Sequence, residues 1–447
     1  MIYVYCPKIT ARIEYVTSLL FGSILDTEWK LTANETDFTA YTGPKIVYAP
    51  NNKDKTALHI PANGFLSERG VHYFLPEIQW KNKLPLLFPV SENKDTGFDA
   101  FSAAFYLVSR YEEYLPHKKD KYGRFEAKES FAFKNNFLQI PVVNHYAMLI
   151  RQGLEKKFRN FRIAPTAFTF IPTYDIDVAY AFRGRGFLRH LLGAARSLWK
   201  LDLEEFAGRF KVLTGNMQDP FDSYDYQLRL YKESGIKACY FFLCGNYGHY
   251  DKNIPFYSKA FFLLVKMLGD YACVGLHPSF ASNDDEKLLA VEKERLGKIL
   301  NREIMFSRQH YLKLNLPKTY HQLLKENILY DFSMGYASQP GFRASICSPF
   351  PFYDLEAETA TPLTIIPLAV MDGTFKHYLK LTPKEALNII TGICAEVEQL
   401  GGTFTTLWHN DSLCDCNEWK GWRELYGQVY SMASAKHQKK YDPLYTT

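Results

Sequence analysis

Five short stretches of this chain hold residues that could do chemistry. In chain order they are Thr173-Tyr174-Asp175-Ile176-Asp177, Leu276-His277-Pro278-Ser279, Arg308-Gln309-His310-Tyr311, Tyr330-Asp331 and Leu407-Trp408-His409-Asn410. Each lies at or just after an apolar run that reads as a strand, so each delivers an acid, an imidazole or a guanidinium to a strand's C-terminal end. In α/β barrels and open α/β sheets, active sites are built at that end. Asp175 and Asp177 are two apart, and on an extended chain such residues point the same way. Two carboxylates and a histidine can hold a divalent metal and activate a water. A cation would also relieve the repulsion between two like charges set so close. Taken singly, each residue has an ordinary structural use. Asp is a favoured turn and N-cap residue, Arg308 or Arg343 could pair with a carboxylate, and one hydrogen bond satisfies a histidine. The argument for a site is the repetition at five strand ends.

The elements that carry these residues begin at about residue 164, where apolar strand-like runs alternate with helical patterns. Strands are expected at 167–172, 238–243, 273–276, 306–308, 328–331, 363–367 and 403–407. Helices are expected between them at 226–234, 259–268, 286–300, 319–325 and 383–400. This alternation predicts an α/β fold over residues 164–440, either a (β/α) barrel or a doubly wound sheet. Residues 1–150 read as a smaller, separate α/β domain. It has strands at 2–6, 28–31, 45–48 and 58–60, and helical spacing over 98–114. A helix over 144–158 would link the two halves. The polar run from His117 to Arg124 reads as a solvated loop. The basic stretch from Arg183 to Lys200 reads as a mobile excursion, a surface loop and helix after the first strand of the second half.

Composition narrows the class. A chain of 447 residues has room for two or three domains with full cores. The net charge of +5 is weak and dispersed, which argues against a nucleic-acid partner. No uninterrupted apolar run of about 18 residues occurs, so no membrane span is expected. The start, Met1-Ile2-Tyr3-Val4-Tyr5-Cys6, lacks a basic n-region and a long apolar stretch and reads as a strand. The expected compartment is therefore the reducing cytoplasm. Cys239, Cys244 and Cys273 fall in or beside apolar runs and are expected as buried thiols. Cys414-Asp415-Cys416 is the only close pair, and no second pair completes a zinc site.

In order and placement, the five stretches resemble the motifs of the polysaccharide deacetylase family, the NodB-type carbohydrate esterases of bacteria. Thr173-Tyr174-Asp175-Ile176-Asp177 is similar to the family's T-F-D-D with one residue inserted. His277-Pro278-Ser279 resembles the start of H-[ST]-x-x-H, and Arg308-Gln309-His310-Tyr311 resembles R-x-P-[FY]. Asp331 resembles the aspartate of the fourth motif, and Leu407-Trp408-His409 resembles the L-x-H of the fifth. The resemblance covers about the C-terminal 280 residues. It implies a distorted (β/α) barrel, a divalent metal such as zinc, and removal of an N-acetyl group from an amino sugar in a glycan or glycan precursor. By motif, Asp175 would be the general base, Arg308 would orient it, Asp177 and His277 would hold the metal, and His409 would be the general acid with Asp331 tuning it. Tyr174, Arg343 and Trp408 are the candidate substrate contacts. Two departures stand out. The family's second histidine falls at Ala281, and its proline falls at His310, which is taken as the replacement ligand. A weakened site would instead suit a glycan-binding protein on a degenerate barrel, and the same machinery would suit a hydrolase of other non-peptide C–N bonds. A cytoplasmic location would favour a precursor over finished polymer. Neither the role of residues 1–150 nor the oligomeric state can be read from the sequence.

Overall fold

The computed structural model describes residues 1–90, 95–439 and 441–445. Two sheets organise them. The first is parallel, with order β2-β1-β3-β4, and is built from β1 (Ile2–Tyr5), β2 (Trp29–Thr32), β3 (Lys45–Ala49) and β4 (Leu58–Pro61). Strands β3 and β4 are buried along their length and β1 over most of it, as strands of a covered parallel sheet must be, while the edge strand β2 is partly exposed. A hairpin of β5 (Ile78–Lys81) and β6 (Leu84–Leu87) follows. Its turn residues Asn82 and Lys83 both have positive φ, the backbone that tight hairpins demand.

The second sheet has nine strands. They are β7 (Thr169–Ile176), β8 (Cys239–Leu243), β9 (Cys273–His277), β10 (Phe306–Ser307), β11 (Tyr330–Asp331), β12 (Phe350–Asp354), β13 (Thr359–Ile365), β14 (Val370–Met371) and β15 (Thr403–His409). Their order is β12-β13-β11-β10-β9-β8-β7-β15-β14. All neighbours are parallel except β12 and β13. Among the described residues β12 and β14 are not hydrogen-bonded to each other, and the nine strands with their helices make the expected α/β fold. The antiparallel β12, which no spacing rule marked in advance, is the end strand beside β13.

Strand β7 runs past its expected stop at Pro172. It pairs with β15 over 169–175 but with β8 only from 173, so the missing proline N–H falls where a single neighbour is present. Asp175 therefore lies inside the strand and Asp177 just beyond it. One continuous apolar core runs from Ile2 to Ala433 and takes in residues of both sheets. Buried polar ties add to it. The Arg12 guanidinium pairs with Glu358, with Nε 2.9 Å from Oε2, and Asn144 donates to Ser348 Oγ at 2.8 Å. Cys414 and Cys416 are disulfide-bonded, and the six other cysteines are free and buried. No helix among the described residues is long and apolar enough to cross a membrane.

Candidate metal centre

Strand alternation sorts the first motif into two faces. Asp175 and Asp177 line a cleft at the sheet's C-terminal end, Thr173 is buried on the same face beside Arg308, and Tyr174 faces the opposite layer. The Tyr174 ring stacks on Tyr240 with centroids 4.9 Å apart, and its hydroxyl meets that of Tyr426 at 2.7 Å. The same rule acts on β15. Leu407 and His409 line the cleft, while Trp408 is fully buried against Tyr426. Arg343 is also buried and holds Glu113 through two nitrogens, at 2.9 and 2.6 Å. The expectation that Tyr174, Trp408 and Arg343 touch substrate is therefore corrected. The two aromatic residues point into the core, and the guanidinium's fork is spent on a carboxylate.

Three other predicted residues meet. His277 Nε2 lies 3.1 Å from Asp177 Oδ1, and His310 Nε2 lies 3.2 Å from Asp177 Oδ2. One ligand atom from each of the three fits within 4.8 Å. His277 Nδ1 is 2.5 Å from the carbonyl oxygen of Arg308. A carbonyl can only accept, so Nδ1 carries the hydrogen and Nε2 is the nitrogen that faces Asp177. His310 is set the same way, with Nδ1 2.8 Å from Asp251 Oδ1. Asp177 Oδ1 is buried and makes no hydrogen bond. Three side chains that can donate electron pairs thus converge, and this donor set fits a divalent cation. Burial pushes Asp177 up, but His310, His277 and His409 outweigh it and hold the carboxyl well below its usual range. Burial pushes His310 down, but Asp177 and Asp251 outweigh it and raise it to about 9, so a cation would bind at its Nε2 in exchange for a proton.

Two oriented pairs flank this cluster. Arg308, fully buried between Phe241 and Phe332, donates from one nitrogen to Thr173 Oγ1 at 2.6 Å and to Asp175 Oδ1 at 2.9 Å. Asp175 Oδ2 stays 3.7 Å from His277 Nε2. Gly275, in β9, makes room for this stack, since a Cβ there would come within 2.6 Å of the Phe241 ring. On the other side His409 Nδ1 lies 2.8 Å from Asp372 Oδ1, and the His409 backbone N–H donates to Asp372 Oδ2 at 2.8 Å. Burial pushes His409 down, but Asp372 and then Asp177 outweigh it and raise it well above its usual value. The carboxylate on His409 is thus Asp372 and not Asp331. Asp331 is buried on β11, five strands from β15, where it accepts from Ser307 Oγ and Ser333 Oγ, each at 2.8 Å.

The cleft measures about 580 Å³. Its floor holds Asp175, Asp177, His277, His310, His409 and Asp411, and burial pushes Asp411 up to about 6. Its rim carries Tyr311, Tyr378 and Trp419 together with Lys121, Tyr122 and Arg124. The last three belong to the polar run expected to be a solvated loop. Arg124 is in fact buried, and it donates to the Tyr311 carbonyl at 2.7 Å, to Asp120 Oδ2 at 2.7 Å and to Tyr378 Oη at 3.1 Å. Tyr311 and Leu312, next to His310, both have left-handed φ, 61° and 50°.

Residues 2–159 match the model of a family of unknown function, DUF7033. No curated protein matches the chain. Among solved structures, the chain is similar to a protein of Mycobacterium smegmatis assigned as a polysaccharide deacetylase, with 13% identity over 60% of this chain and 89% of that one and a TM-score of 0.39. It is similar to Puue allantoinase at 10% identity, 62% and 88% coverage and a TM-score of 0.38. It is similar to a protein of Pseudomonas aeruginosa PAO1 with the same kind of assignment, at 10% identity, 62% and 89% coverage and a TM-score of 0.38. What this chain can do follows from its own side chains.

Sequence reasoning missed four of them. Asp251 and Asp372 sit in a loop and just past a short strand, away from the motifs, and Asp411 directly follows the fifth stretch. Arg124 lies far away in the chain. Asp372 had one usable signal, since it ends the short apolar run Leu368-Ala369-Val370-Met371.

Proposed function

We propose that this protein is a metal-dependent hydrolase that removes an acyl group from an amide nitrogen on a sugar of a glycan or glycan precursor. The observation that carries the reading is the Asp177, His277 and His310 donor set, open to a cleft and flanked by Asp175 with Arg308 and by His409 with Asp372. Asp177, His277 and His310 would hold the ion, zinc or one like it. Such an ion supplies Lewis-acid polarisation and a water of lowered pKa. Asp175 is the general base. Arg308 occupies its Oδ1, which leaves Oδ2 as the oxygen that takes the proton of the attacking water. His409 is the general acid. Asp372 holds Nδ1, so Nε2 presents the proton that leaves with the amine. The rim aromatics Tyr311, Tyr378 and Trp419 offer apolar faces of the kind that pack on sugar rings. The order of the five sequence motifs supports the same chemistry.

Elemental analysis of wild type and His277→Ala, followed by turnover of N-acetylated chito-oligosaccharides by wild type and Asp175→Asn, tests the reading. About one ion per chain in wild type, lost in His277→Ala, with turnover lost in Asp175→Asn, is expected. Wild type that takes up no ion from added zinc would refute it.

A further inference from the structure

The segment between β7 and β8 carries a feature the cleft chemistry does not use. It forms two packed helices, Phe187–Trp199 and Leu203–Leu213. In the first helix the side chains of Leu191, Leu192, Leu198 and Trp199 are 52, 63, 46 and 85% exposed. At 100° per residue these positions share one face. The opposite face packs inward: Gly193 lies against the buried Arg209 of the second helix, where a Cβ would come within 2.6 Å of the guanidinium. The second helix continues the apolar surface with Leu203 and Phe210, 65 and 50% exposed, and Leu201 between the helices is 83% exposed. Isolated exposed leucines are ordinary, but a contiguous apolar face of this size marks an interaction surface.

Charge says what kind. From Arg183 to Leu201 the chain holds five basic residues, Arg183, Arg185, Arg189, Arg196 and Lys200, and no acidic one. Arg189, Arg196 and Lys200 recur at spacings of seven and four, so they line one flank of the apolar face. Arg196 and Lys200 are exposed and make no ion pair among the described residues. An apolar face with a tryptophan, flanked by a cationic stripe, suits a bilayer surface with anionic headgroups.

We propose that this helical hairpin docks the protein on an anionic membrane surface, with Leu191, Leu192, Leu198 and Trp199 seated among the acyl chains and Arg196 and Lys200 on the phosphates. The hairpin leaves the end of the sheet that carries Asp175 and Asp177. Arg189 stacks over Tyr247 of the loop leaving β8, 3.9 Å from its ring centroid. Docking would thus occur at the end where the cleft opens. The inference is independent of the hydrolase reading.

Flotation of the full-length protein with phosphatidylcholine vesicles, with and without phosphatidylglycerol, tests it. Wild type should float with the phosphatidylglycerol vesicles, and added salt should release it. Leu192→Glu/Trp199→Glu should lower the partition coefficient roughly tenfold or more, the scale expected when two large apolar groups are replaced by anions. Arg196→Glu/Lys200→Glu, which leaves the apolar face intact, should weaken binding to anionic vesicles. Melting curves matching wild type would show that the variants fold. Wild type that floats with neither vesicle, equal flotation with both, or equal flotation of all three proteins would overturn the proposal. So would a wild-type dimer by light scattering that the apolar-face variant turns into a monomer, because the face would then cover a second copy.

Discussion

Replacing Asp251 should loosen the metal centre without removing a ligand. Asp251 Oδ1 receives His310 Nδ1–H at 2.8 Å and the Phe280 backbone N–H at 2.8 Å. The first bond fixes the tautomer and aims His310 Nε2 at Asp177. A hydrogen bond to an ionised group is worth about 1.5–3 kcal/mol, and about 1.4 kcal/mol is a factor of ten in affinity. Asp251→Ala, which removes both bonds, should therefore weaken zinc binding roughly 10- to 100-fold, the range usual for partners of metal-ligating histidines. Asp251→Asn can keep an oxygen in place and lose only the charge, so its loss should fall at or below the lower end of that range. The assay is competition between the metal-free protein and a chromophoric chelator at fixed pH, with a melting curve on each variant. Zinc affinity within twofold of wild type in Asp251→Ala would sink the claim that this carboxylate orients His310.

Two further outcomes are expected from the contacts between the first half of the chain and the second. Arg124→Gln removes the guanidinium that holds the Tyr311 carbonyl beside the left-handed Tyr311 and Leu312. That backbone costs about 1–2 kcal/mol per residue, so its release should lower metal affinity roughly tenfold and change the visible spectrum of the cobalt-substituted protein. An unchanged spectrum would count against Arg124 as a positioning residue. Glu113 gives a pH signature. Burial pushes it up, but Arg343 and Arg110 outweigh that and hold it at about 2, against an ordinary 4.5. A folded-state value below the unfolded one contributes stability above pH 4.5 that is lost as pH falls toward 2, about 3 kcal/mol in all. Melting temperature against pH for wild type and Arg343→Met measures it. The variant should melt lower near neutral pH and lose less between pH 4.5 and 2, and parallel curves would refute the pairing argument.

The sequence by itself determined which residues stand at the ends of which strands. Apolar runs of strand length, interrupted by helical spacing, are local properties, and they located the ends of β9, β10 and β11 to within a residue, while β7 and β15 run on past their expected ends at Pro172 and Leu407. The helix Glu286–Leu300 was legible to the residue because an apolar stripe and its flanking polar residues lie within one short stretch. Tertiary structure decided everything that depends on contacts between distant segments. Alternation sends Tyr174 and Trp408 to the core, but only the packed layers reveal which side is the cleft. Asp372 rather than Asp331 reaches His409 because β14 lies beside β15 and β11 does not. The run from His117 to Arg124 is polar enough to be solvated anywhere, and composition cannot say that its arginine is buried at a cleft wall. The exposed face of the helix Phe187–Trp199 shows the same division. Its amphipathic spacing is written in the chain, but whether a core covers the apolar side is settled only when the rest of the molecule folds around it and leaves that side bare.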